Sequence, residues 1–384
     1  MSELLARLHL ARLVEPGSWP VHDAVSEHGA AAVVAALCQG RRVGAVTEAV
    51  AQGSQARAGG IEPAEDLRRL NAVGGRVVLP GDPEWPQERL SWARGGGSLP
   101  APPLALLVRG VGLLGDTVQR SVAVVGARTA TAYGEHVATE LGIGLTDRGW
   151  TVISGGAYGI DGAAHRGALT SRRGPTVAVL ACGVDVAYPR GHDRLLARIA
   201  EQGLLVSEHA PGSAPTRLRF LVRNRLIAAL SVGTVVVEAA LRSGSLSTAG
   251  RAADLTRHVM AVPGPVTSAM SAGCHALLRA GAAELVSGVR EVLALVGRLG
   301  DDDAPVQRGP EHPRDALPDV VRRVLDALPV RGGAGEAVLS RESGVAVLVV
   351  QQVLPPLLVA GLVERSDAGW RLTALGASGP RPGR

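Results

Sequence analysis

Lysine does not occur in this chain of 384 residues, so all 40 basic side chains are arginine. A Walker A loop needs a lysine on the nucleotide phosphates, and a P-loop ATPase or helicase is therefore excluded. The formal charge of +5 favours a polyanionic partner, although weakly for a chain of this length.

Cysteine is also scarce, and long uncharged apolar runs are missing. Cys38, Cys182 and Cys274 lie far apart without paired spacing, which argues against a zinc site or a disulfide framework and fits a reducing cytosol. No apolar run approaches about 18 residues without a charge, and the first residues lack a signal-peptide pattern. We expect a cytoplasmic protein with no membrane contact, no metal and no cofactor.

Hydrophobic periodicity divides the chain into five parts. Residues 1–75 are Ala-rich with helical periodicity and predict a small helical, SAM-like domain. Residues 76–297 alternate short apolar runs with helical segments, and residues 298–318 have the composition of a linker. Residues 319–374 predict helices over 320–328, 338–343 and 345–360 and then a hairpin, which is typical of a winged helix. Residues 375–384 predict a disordered tail.

The apolar runs of the second part resemble buried parallel strands. They are Val122–Val125, Thr151–Ile153, Val177–Leu180, Leu204–Val206, Thr234–Val237, Val259–Val262 and Glu284–Val286. Helical patterns such as Tyr133–Arg148 and Gly191–Gln202 lie between them. This alternation indicates an α/β fold with a Rossmann-like, doubly wound, mostly parallel sheet.

Gly-rich loops follow several of these strands, at the edge where doubly wound sheets bind ligands. Gly126-Ala-Arg128 follows the first strand, Ser154-Gly155-Gly156 the second, and Glu238 with Ser243-Gly244-Ser245 the fifth. Glycine lets backbone N–H groups approach phosphate oxygens, and a helix N-terminus favours an anion. The loops therefore predict an anion site.

The only phenylalanine, Phe220, lies in the run Thr216–Arg225 among four arginines. A base could stack on the ring while phosphates meet the guanidinium groups. As a loop after the fourth strand, the run would open onto the same edge as the Gly loops. The alternative is a helix that buries Phe220 in the core.

Other chemistries fit less well. The segment after the first strand lacks Gly-x-Gly-x-x-Gly, and Ser154-Gly155 stands where a nicotinamide dinucleotide site has its acid. Asp161 and His165 are consistent with a helix-end carboxylate beside a partly buried histidine. Glu238 would face Arg128, either as a general acid/base or as a salt-bridge partner of the arginines.

The assembled pattern resembles the DNA-processing protein A (DprA/Smf) family, whose motifs it matches in seven ordered blocks. These include Val124–Arg128, Ser154–Asp161 with Ala164-His165, Gly183–Asp185 with Tyr188-Pro189, Ser207-Glu208, Phe220 with Arg223–Ala228, Val237-Glu238 with Ser243–Leu246, and Pro263-Gly264. Gly156, Tyr158 and Cys274-His275 depart from residues common in the family.

The resemblance implies a cytoplasmic, non-enzymatic homodimer that binds single-stranded DNA. It also implies that such a protein protects incoming strands and loads RecA recombinase in natural transformation. The implied DNA-binding residues are Gly126, Arg128, Ser154, Gly155, Gly156, Phe220, Arg223, Asn224, Arg225, Ser243, Gly244 and Ser245, supported by Glu238, Asp161 and His165.

Two other functions stay open at this point. One is a nucleotide-processing hydrolase of the lysine-decarboxylase-like group that would use Arg128 and Glu238. The other is a regulatory or structural role outside transformation. In the winged-helix segment, the predicted third helix has no basic residue and contains Pro355-Pro356, which should kink or end it. We expect this segment to pack or to recruit a partner and not to read a DNA sequence.

Overall fold

A computed structural model describes residues 1–60, 62–94, 99–171, 173–297 and 317–377. The described residues up to Gly297 belong to one compact unit and those from Leu317 to a second. The predicted linker lies outside the described residues except for its last two positions, as does the predicted tail beyond Ala377. Within the described part of the chain, no single helix is long and apolar enough to cross a membrane. One bent pair, Glu336–Ser343 with Val347–Val359, meets that test by length and composition only.

The first unit begins with helices, as the Ala-rich periodicity predicts. They are α1 (Glu3–Leu13), α2 (Trp19–His28), α3 (Ala30–Cys38), α4 (Glu48–Ala58) and α5 (Pro63–Ala72). Ser2 and Thr47 cap α1 and α4, because their side chains accept the N–H groups of Leu5 and Val50. The helices enclose an apolar cluster of their own. Leu8 and Leu70, however, pack into a cluster with strand residues, so the helices share part of their core with the sheet.

A sheet of nine strands follows in the described residues. All seven predicted strands are confirmed, with bounds shifted by at most one residue: β3 (Ser121–Val125), β4 (Thr151–Ser154), β5 (Thr176–Val179), β6 (Leu204–Ser207), β7 (Gly233–Val236), β8 (His258–Ala261) and β9 (Glu284–Leu285). Two further strands, β1 (Gly75–Val78) and β2 (Leu106–Gly110), were not predicted. They extend the β6 edge in antiparallel pairing, whereas β3 to β9 pair in parallel.

The strand order is β1-β2-β6-β5-β4-β3-β7-β8-β9. The chain therefore builds the sheet in one direction from β3 to β6 and in the other from β7 to β9. The β3/β7 boundary is the topological switch point, where a doubly wound sheet opens a crevice at the carboxyl ends of its strands.

Helices cover both faces of this sheet. They are α6 (Gln87–Leu90), α7 (Leu114–Thr117), α8 (Ala132–Thr146), α9 (Ile160–Ala168), α10 (Asp193–Gln202), α11 (Arg217–Leu230), α12 (Gly244–Asp254), α13 (Ala272–Arg279) and α14 (Val289–Val296). Successive residues of a strand point to opposite faces. Ala123 and Val125 accordingly pack with α11 and α12, whereas Val122 and Val124 pack with α8 and α9.

The Arg/Phe run is a helix, and its prediction as an open loop is wrong. It forms the first half of α11, and the side chain of Thr216 caps the helix by accepting the N–H of Arg219. No Gly or Pro interrupts residues 217–230, so once the cap is in place nothing stops the helix. The run still reaches the expected edge, because the N-terminus of α11 follows the carboxyl end of β6.

The second unit has the predicted three helices and hairpin. The elements are α15 (Asp319–Asp326), α16 (Glu336–Ser343), α17 (Val347–Val359), β10 (Val363–Ser366), β11 (Gly369–Leu372) and α18 (Ala374–Ala377). The directions of α16 and α17 differ by 106° across a turn with Gly344 at a φ of 65°. The winged-helix assignment itself stays a prediction.

Two details of this unit correct the predictions. Pro355-Pro356 does not end α17, which continues to Val359. Both prolines are exposed, as are Gln351 and Gln352 one turn earlier, so water can satisfy the carbonyl groups that lack helical N–H partners. Residues 375–377, predicted as part of a disordered tail, belong to α18.

Candidate nucleic-acid interface

A cleft of about 690 Å³ opens at the switch point, and we call it the switch-point cleft. It lies between the segments that follow β3 and β7 and the N-terminal half of α11. Its lining includes the predicted residues Gly126, Arg128, Asp161, Phe220, Arg223, Asn224, Ser243, Gly244 and Ser245. The topology thus brings together residues that are more than a hundred positions apart in the sequence.

Arg128 and Phe220 are in direct contact at the centre of this group. The Cζ atom of Arg128 lies 4.6 Å from the centroid of the Phe220 ring, in a cation–π contact. Arg223 also contacts the ring, with Cζ at 5.7 Å, and the ring of Tyr188 lies 5.7 Å away at a tilt of 47°. Phe220 is half-buried and exposes part of its ring to the cleft.

The four arginines of the α11 run have four different environments. Arg217 is exposed and lines the cleft. Arg219 turns away and forms two hydrogen bonds with the carboxylate of Glu15, which holds the pKa of that carboxyl below its usual value. Arg223 is buried beside the ring, and Arg225 is buried on the other side of the helix. Of these four arginines, only Arg217 is free to contact a phosphate group of a ligand.

Arg223 forms part of the cleft floor. It is 5% exposed and donates a hydrogen bond to the carbonyl of Val179 at the end of β5. Burial lowers the pKa of Arg223 to about 10, so the side chain stays charged at neutral pH. A Cβ atom at Gly155 would come within 2.1 Å of its Nη1 atom. Gly155 therefore makes room for this guanidinium group.

Arg225 does not belong to the binding surface, and its prediction as a DNA-binding residue is wrong. The side chain is 0% exposed and donates two hydrogen bonds, of 2.7 and 2.8 Å, to the carboxylate of Glu208. Its Nε donates to the carbonyl of Ala101 at 2.9 Å. With these partners Arg225 stabilises the core of the first unit and does not contact the cleft.

The loop after β4 was predicted to cradle an anion, and two of its N–H groups bind a carboxylate of the chain itself. The N–H groups of Gly155 and Ala157 donate to the carboxylate of Asp161, at 3.1 and 3.4 Å. Burial raises the pKa of Asp161, while nearby Arg223 and these donors favour its charged form. Ser154 is fully buried and donates to the carbonyl of Val124. Neither Ser154 nor Gly156 lines the cleft.

Glu238 has a different role from either that was predicted. It is buried, and its carboxylate accepts the N–H and the hydroxyl of Thr131, at 2.9 and 2.6 Å. Thr131 is the N-cap of α8, so Glu238 fixes the start of that helix and does not pair with Arg128. This geometry removes the arrangement that the hydrolase alternative requires.

His165 is fully buried in the core and lies outside the cleft lining. Its Nδ1 lies 2.8 Å from the hydroxyl of Thr176, which itself donates to the carbonyl of Val152. The hydroxyl proton is thus engaged, so Nδ1 of His165 carries the proton and donates. Burial lowers the pKa of His165 to about 3, and the ring is neutral.

The N-terminus of α12 closes one side of the cleft. Ser243 caps this helix, accepting the N–H of Ser245 at 3.4 Å, and the two hydroxyls lie 2.7 Å apart. Asn224 donates from Nδ2 to the carbonyl of Gly244 at 3.3 Å, which joins α11 to this turn. A helix N-terminus carries partial positive charge and favours an anion in front of it.

The cleft lining also contains two arginines and a tyrosine that were not among the predicted site residues. Arg217 and Arg242 are exposed arginines at the cleft, and Tyr188 is 38% exposed beside Phe220. Arg242 directly precedes the Ser243-Gly-Ser turn, and Arg217 begins the Arg/Phe run. These two arginines could have been predicted from their position next to the predicted loops. Nothing in the local sequence predicts that Tyr188 lies next to Phe220.

The comparisons with known proteins agree with this geometry. A family model described as DNA recombination-mediator protein A matches residues 76–297. A Mycobacterium tuberculosis protein named as a DNA processing protein, DprA, is 48% identical over 343 residues, which cover 88% of this chain and 87% of that protein. The DprA of Streptococcus pneumoniae is 43% identical over 45% of this chain and 60% of its own length. The X-ray structure of DprA from that species covers 78% of this chain and 99% of its own at 28% identity, with a TM-score of 0.62.

Proposed function

The chain belongs to the family of DNA recombination-mediator protein A, which is DNA-binding and non-enzymatic, and on that premise we propose that it binds single-stranded DNA in the switch-point cleft. The observation that carries the proposal is the set of unneutralised arginines around the half-buried ring of Phe220. Arg128, Arg217 and Arg242 line the cleft and have no ion pair with any residue in the described ranges.

The chemistry of the cleft favours an unpaired strand over a duplex. Exposed guanidinium groups and the α12 N-terminus attract phosphates. An exposed planar surface gains stacking energy only from a base whose face is free, and bases inside a duplex already stack on their neighbours. A cleft that contacts both the phosphate and the face of the base therefore binds a single strand in preference to a duplex.

We also propose that the bound strand is protected and passed to RecA recombinase during natural transformation, and that a homodimer does this. Support comes from the family membership, since recombination mediators act on strands destined for a recombinase. A strand-exchange assay with bacterial RecA tests the step. Addition of the chain should shorten the lag before exchanged product forms, because RecA would be loaded sooner, and an Arg217→Ala/Arg242→Ala variant should not shorten it.

The primary test is the affinity for single-stranded and duplex DNA over a salt series. We expect tighter binding to the single strand, with an affinity that falls steeply as salt rises. Arg217→Ala/Arg242→Ala should weaken binding and reduce the salt slope by roughly 0.7 for each phosphate that the variant no longer neutralises. Arg148→Ala is the matched control, because Arg148 is exposed just before β4, at the opposite edge of the sheet. Unchanged affinity and slope in the double variant would exclude the cleft as the DNA site.

A further inference from the structure

Two arginines lie together at the amino-terminal edge of the sheet, opposite the edge that holds the switch-point cleft. Arg89 belongs to α6, and Arg257 lies between α12 and β8. Arg89 donates from Nη2 to the carbonyl of Gln119 at 3.0 Å, and Arg257 donates from Nη2 to the carbonyl of Glu88 at 3.5 Å. Because Glu88 is the chain neighbour of Arg89, these contacts bring both guanidinium groups into one small region in front of β3 and β8.

Both guanidinium groups are half-buried, and within the described ranges no carboxylate lies at ion-pair distance from either. The two carbonyl contacts use one N–H group of each side chain, whereas a guanidinium group has five. Burial lowers the pKa of both arginines, and the charge of Arg257 lowers that of Arg89 further, against the opposing effect of exposed Glu88. Two like charges are thus held near each other with most of their donors unused.

The Nε–H group of Arg257 is a buried donor that has no acceptor in the described part of the chain. Buried polar groups in folded proteins nearly always have a hydrogen-bond partner, so an orphaned donor points to a ligand or an ion. This donor belongs to a cation that lies beside a second cation. An anion would satisfy the donor and also neutralise the repulsion between the two charges.

The backbone that carries Arg257 has an unusual conformation. Thr256 has a φ of 54° and is the one non-glycine residue with a positive φ in the described ranges. Its N–H donates to the carbonyl of Ala253, and that of Arg257 donates to the carbonyl of Ala252, so this turn ends α12. A β-branched residue rarely adopts the left-handed region, and strain of this kind occurs most often at binding sites.

We propose that Arg89 and Arg257 form a second oxyanion site, which binds one phosphate group through both guanidinium groups. The site lies at the far end of α12 from the switch-point cleft, because Ser243 caps that helix at the cleft and Arg257 follows its last turn. The site itself does not depend on the proposed function.

Two sources of phosphate fit this position. The 11 residues of α12 span about 16 Å, which corresponds to about five nucleotides at the ~3.4 Å rise of a B-DNA strand. A strand that leaves the cleft along α12 would therefore bring a phosphodiester to the two arginines. A free phosphate compound is the other source, and it needs no strand in the cleft.

The first experiment tests the site with inorganic phosphate. Thermal unfolding is compared in phosphate and in chloride of equal ionic strength for the wild-type chain and Arg89→Gln/Arg257→Gln. The control, Arg148→Gln/Arg173→Gln, removes the same charge from exposed positions before β4 and β5. At about ten times the Kd, phosphate should raise the Tm of the wild type and the control by about 2–4 °C more than that of the Arg89→Gln/Arg257→Gln variant. In chloride this variant should unfold at no lower temperature than the wild type, because the repulsion is relieved.

The second experiment identifies the source with oligothymidylates of about 4 and about 12 nucleotides, titrated over a salt series. If a strand supplies the phosphate, Arg89→Gln/Arg257→Gln should lower the salt slope of the longer oligonucleotide by about 0.7, the contribution of one phosphate contact. The slope of the shorter one should equal that of the wild type, because it does not extend along α12. A lost Tm response with unchanged slopes would assign the site to a free phosphate compound.

The inference is wrong if Arg89→Gln/Arg257→Gln keeps both the full Tm response and both salt slopes, since the two arginines would then only hold α6 against the sheet. If that variant does not fold, Arg89→Gln alone provides the same comparisons, because Arg89 is not part of the Thr256 turn. Failure of the proposed function is a separate result. The Arg217→Ala/Arg242→Ala variant would then bind both oligonucleotides like the wild type, whatever the response to inorganic phosphate.

Discussion

Arg225 and Glu208 form an ion pair from which water is excluded. The carboxylate takes two N–H groups of the guanidinium, and the carbonyl of Ala101 takes a third. Burying a charge costs several kcal/mol, and only complete pairing offsets this cost. The pair therefore ties α11 to the segments after β6 and before β2, and its removal should affect the whole unit.

Arg225→Ala should lower the free energy of unfolding by about 3–5 kcal/mol, because Glu208 would be left buried without its partner. Arg219→Ala is the matched control on the same helix, where Arg219 and its partner Glu15 are only partly buried, and it should cost no more than about 1 kcal/mol. Urea denaturation of both variants provides the comparison. Equal decreases in stability would show that burial does not govern the strength of this pair.

Sequence spacing could not separate these arginines. Glu208 lies 17 positions from Arg225 and Glu15 lies 204 positions from Arg219, so each partner is brought in by the tertiary fold. The family resemblance places Arg225 in the pocket with Arg223, although one is in the core and the other in the cleft floor. The sequence could predict which residues lie at the carboxyl edge of the sheet, because this edge follows from the strand ends and from the Gly-rich turn. Phe220, Arg128 and Ser243–Ser245 are such residues.

His165 gives the unit a predictable response to acid. Its pKa in the folded chain is about 3, and the ordinary value in an unfolded chain is 6.5. Between these values the unfolded chain binds more protons, so stability is complete above pH 6.5 and falls as the pH drops toward 3.

Acidification from pH 7 to pH 5 should therefore lower the free energy of unfolding by about 2 kcal/mol through His165. This figure follows because pH 5 lies about 1.5 pH units below the pKa of an unfolded histidine, and each unit corresponds to about 1.4 kcal/mol. In His165→Asn, whose amide can still donate to Thr176, that part of the pH dependence should disappear. His136→Asn, at an exposed position of α8, is the control substitution. Urea midpoints at the two pH values measure the effect. An unchanged pH dependence in His165→Asn would contradict the assignment.

At the scale of elements, α8 and α9 approach each other through glycine. A Cβ at Gly142 of α8 would lie 2.4 Å from the carbonyl oxygen of Ala164, and a Cβ at Gly167 of α9 would lie 2.3 Å from that of Thr139. In both places the obstacle is backbone, which cannot rotate away. The two glycines thus set the distance between the helices.

Gly167→Ala should destabilise the chain by roughly 1–3 kcal/mol, although alanine is normally the better helix former. Gly250→Ala in α12 is the control, because nothing lies within 4 Å of its added methyl group. That variant should be stabilised by about 0.5–1 kcal/mol. Thermal unfolding distinguishes the two, and a stabilised Gly167→Ala would mean that the helices can separate at little cost.

The elements themselves were largely predictable, and the exceptions have physical causes. Buried parallel strands are apolar along most of their length, so β3 to β8 stand out in the sequence. β1 and β2 are antiparallel edge additions next to Pro- and Gly-rich segments, where no helical alternation marks them. A helix over the α11 run was only the alternative prediction, because Arg223 and Arg225 are buried with the apolar residues that follow, and polarity does not follow burial along this helix.

At the scale of the whole molecule, the two units have separate apolar cores. In residues 317–377, six arginines are balanced by six aspartates and glutamates, and α17 carries no charge at all. Phosphate contacts dominate affinity for DNA, and residues 317–377 have no surplus of positive charge to supply them; the whole segment from 305 to 384 has a surplus of only two.

A chain truncated after residue 304 should fold and bind single-stranded DNA with an affinity within about twofold of the full chain, because the phosphate contacts stay with the first unit. The salt slope should also be unchanged. Titration of both chains with the same oligonucleotide measures this. Failure of the truncated chain to bind would assign DNA contacts to the second unit.

The cleft also contains the only phenylalanine of the chain. Biosynthetic incorporation of 4-fluorophenylalanine would therefore place a single fluorine nucleus at residue 220 and at no other position. Its ¹⁹F resonance would be a one-line spectrum from the interior of the cleft, free of overlap in a chain of this size. A ligand that enters, or an arginine that leaves the ring, would be seen directly as a shift of that one line, without any mutation.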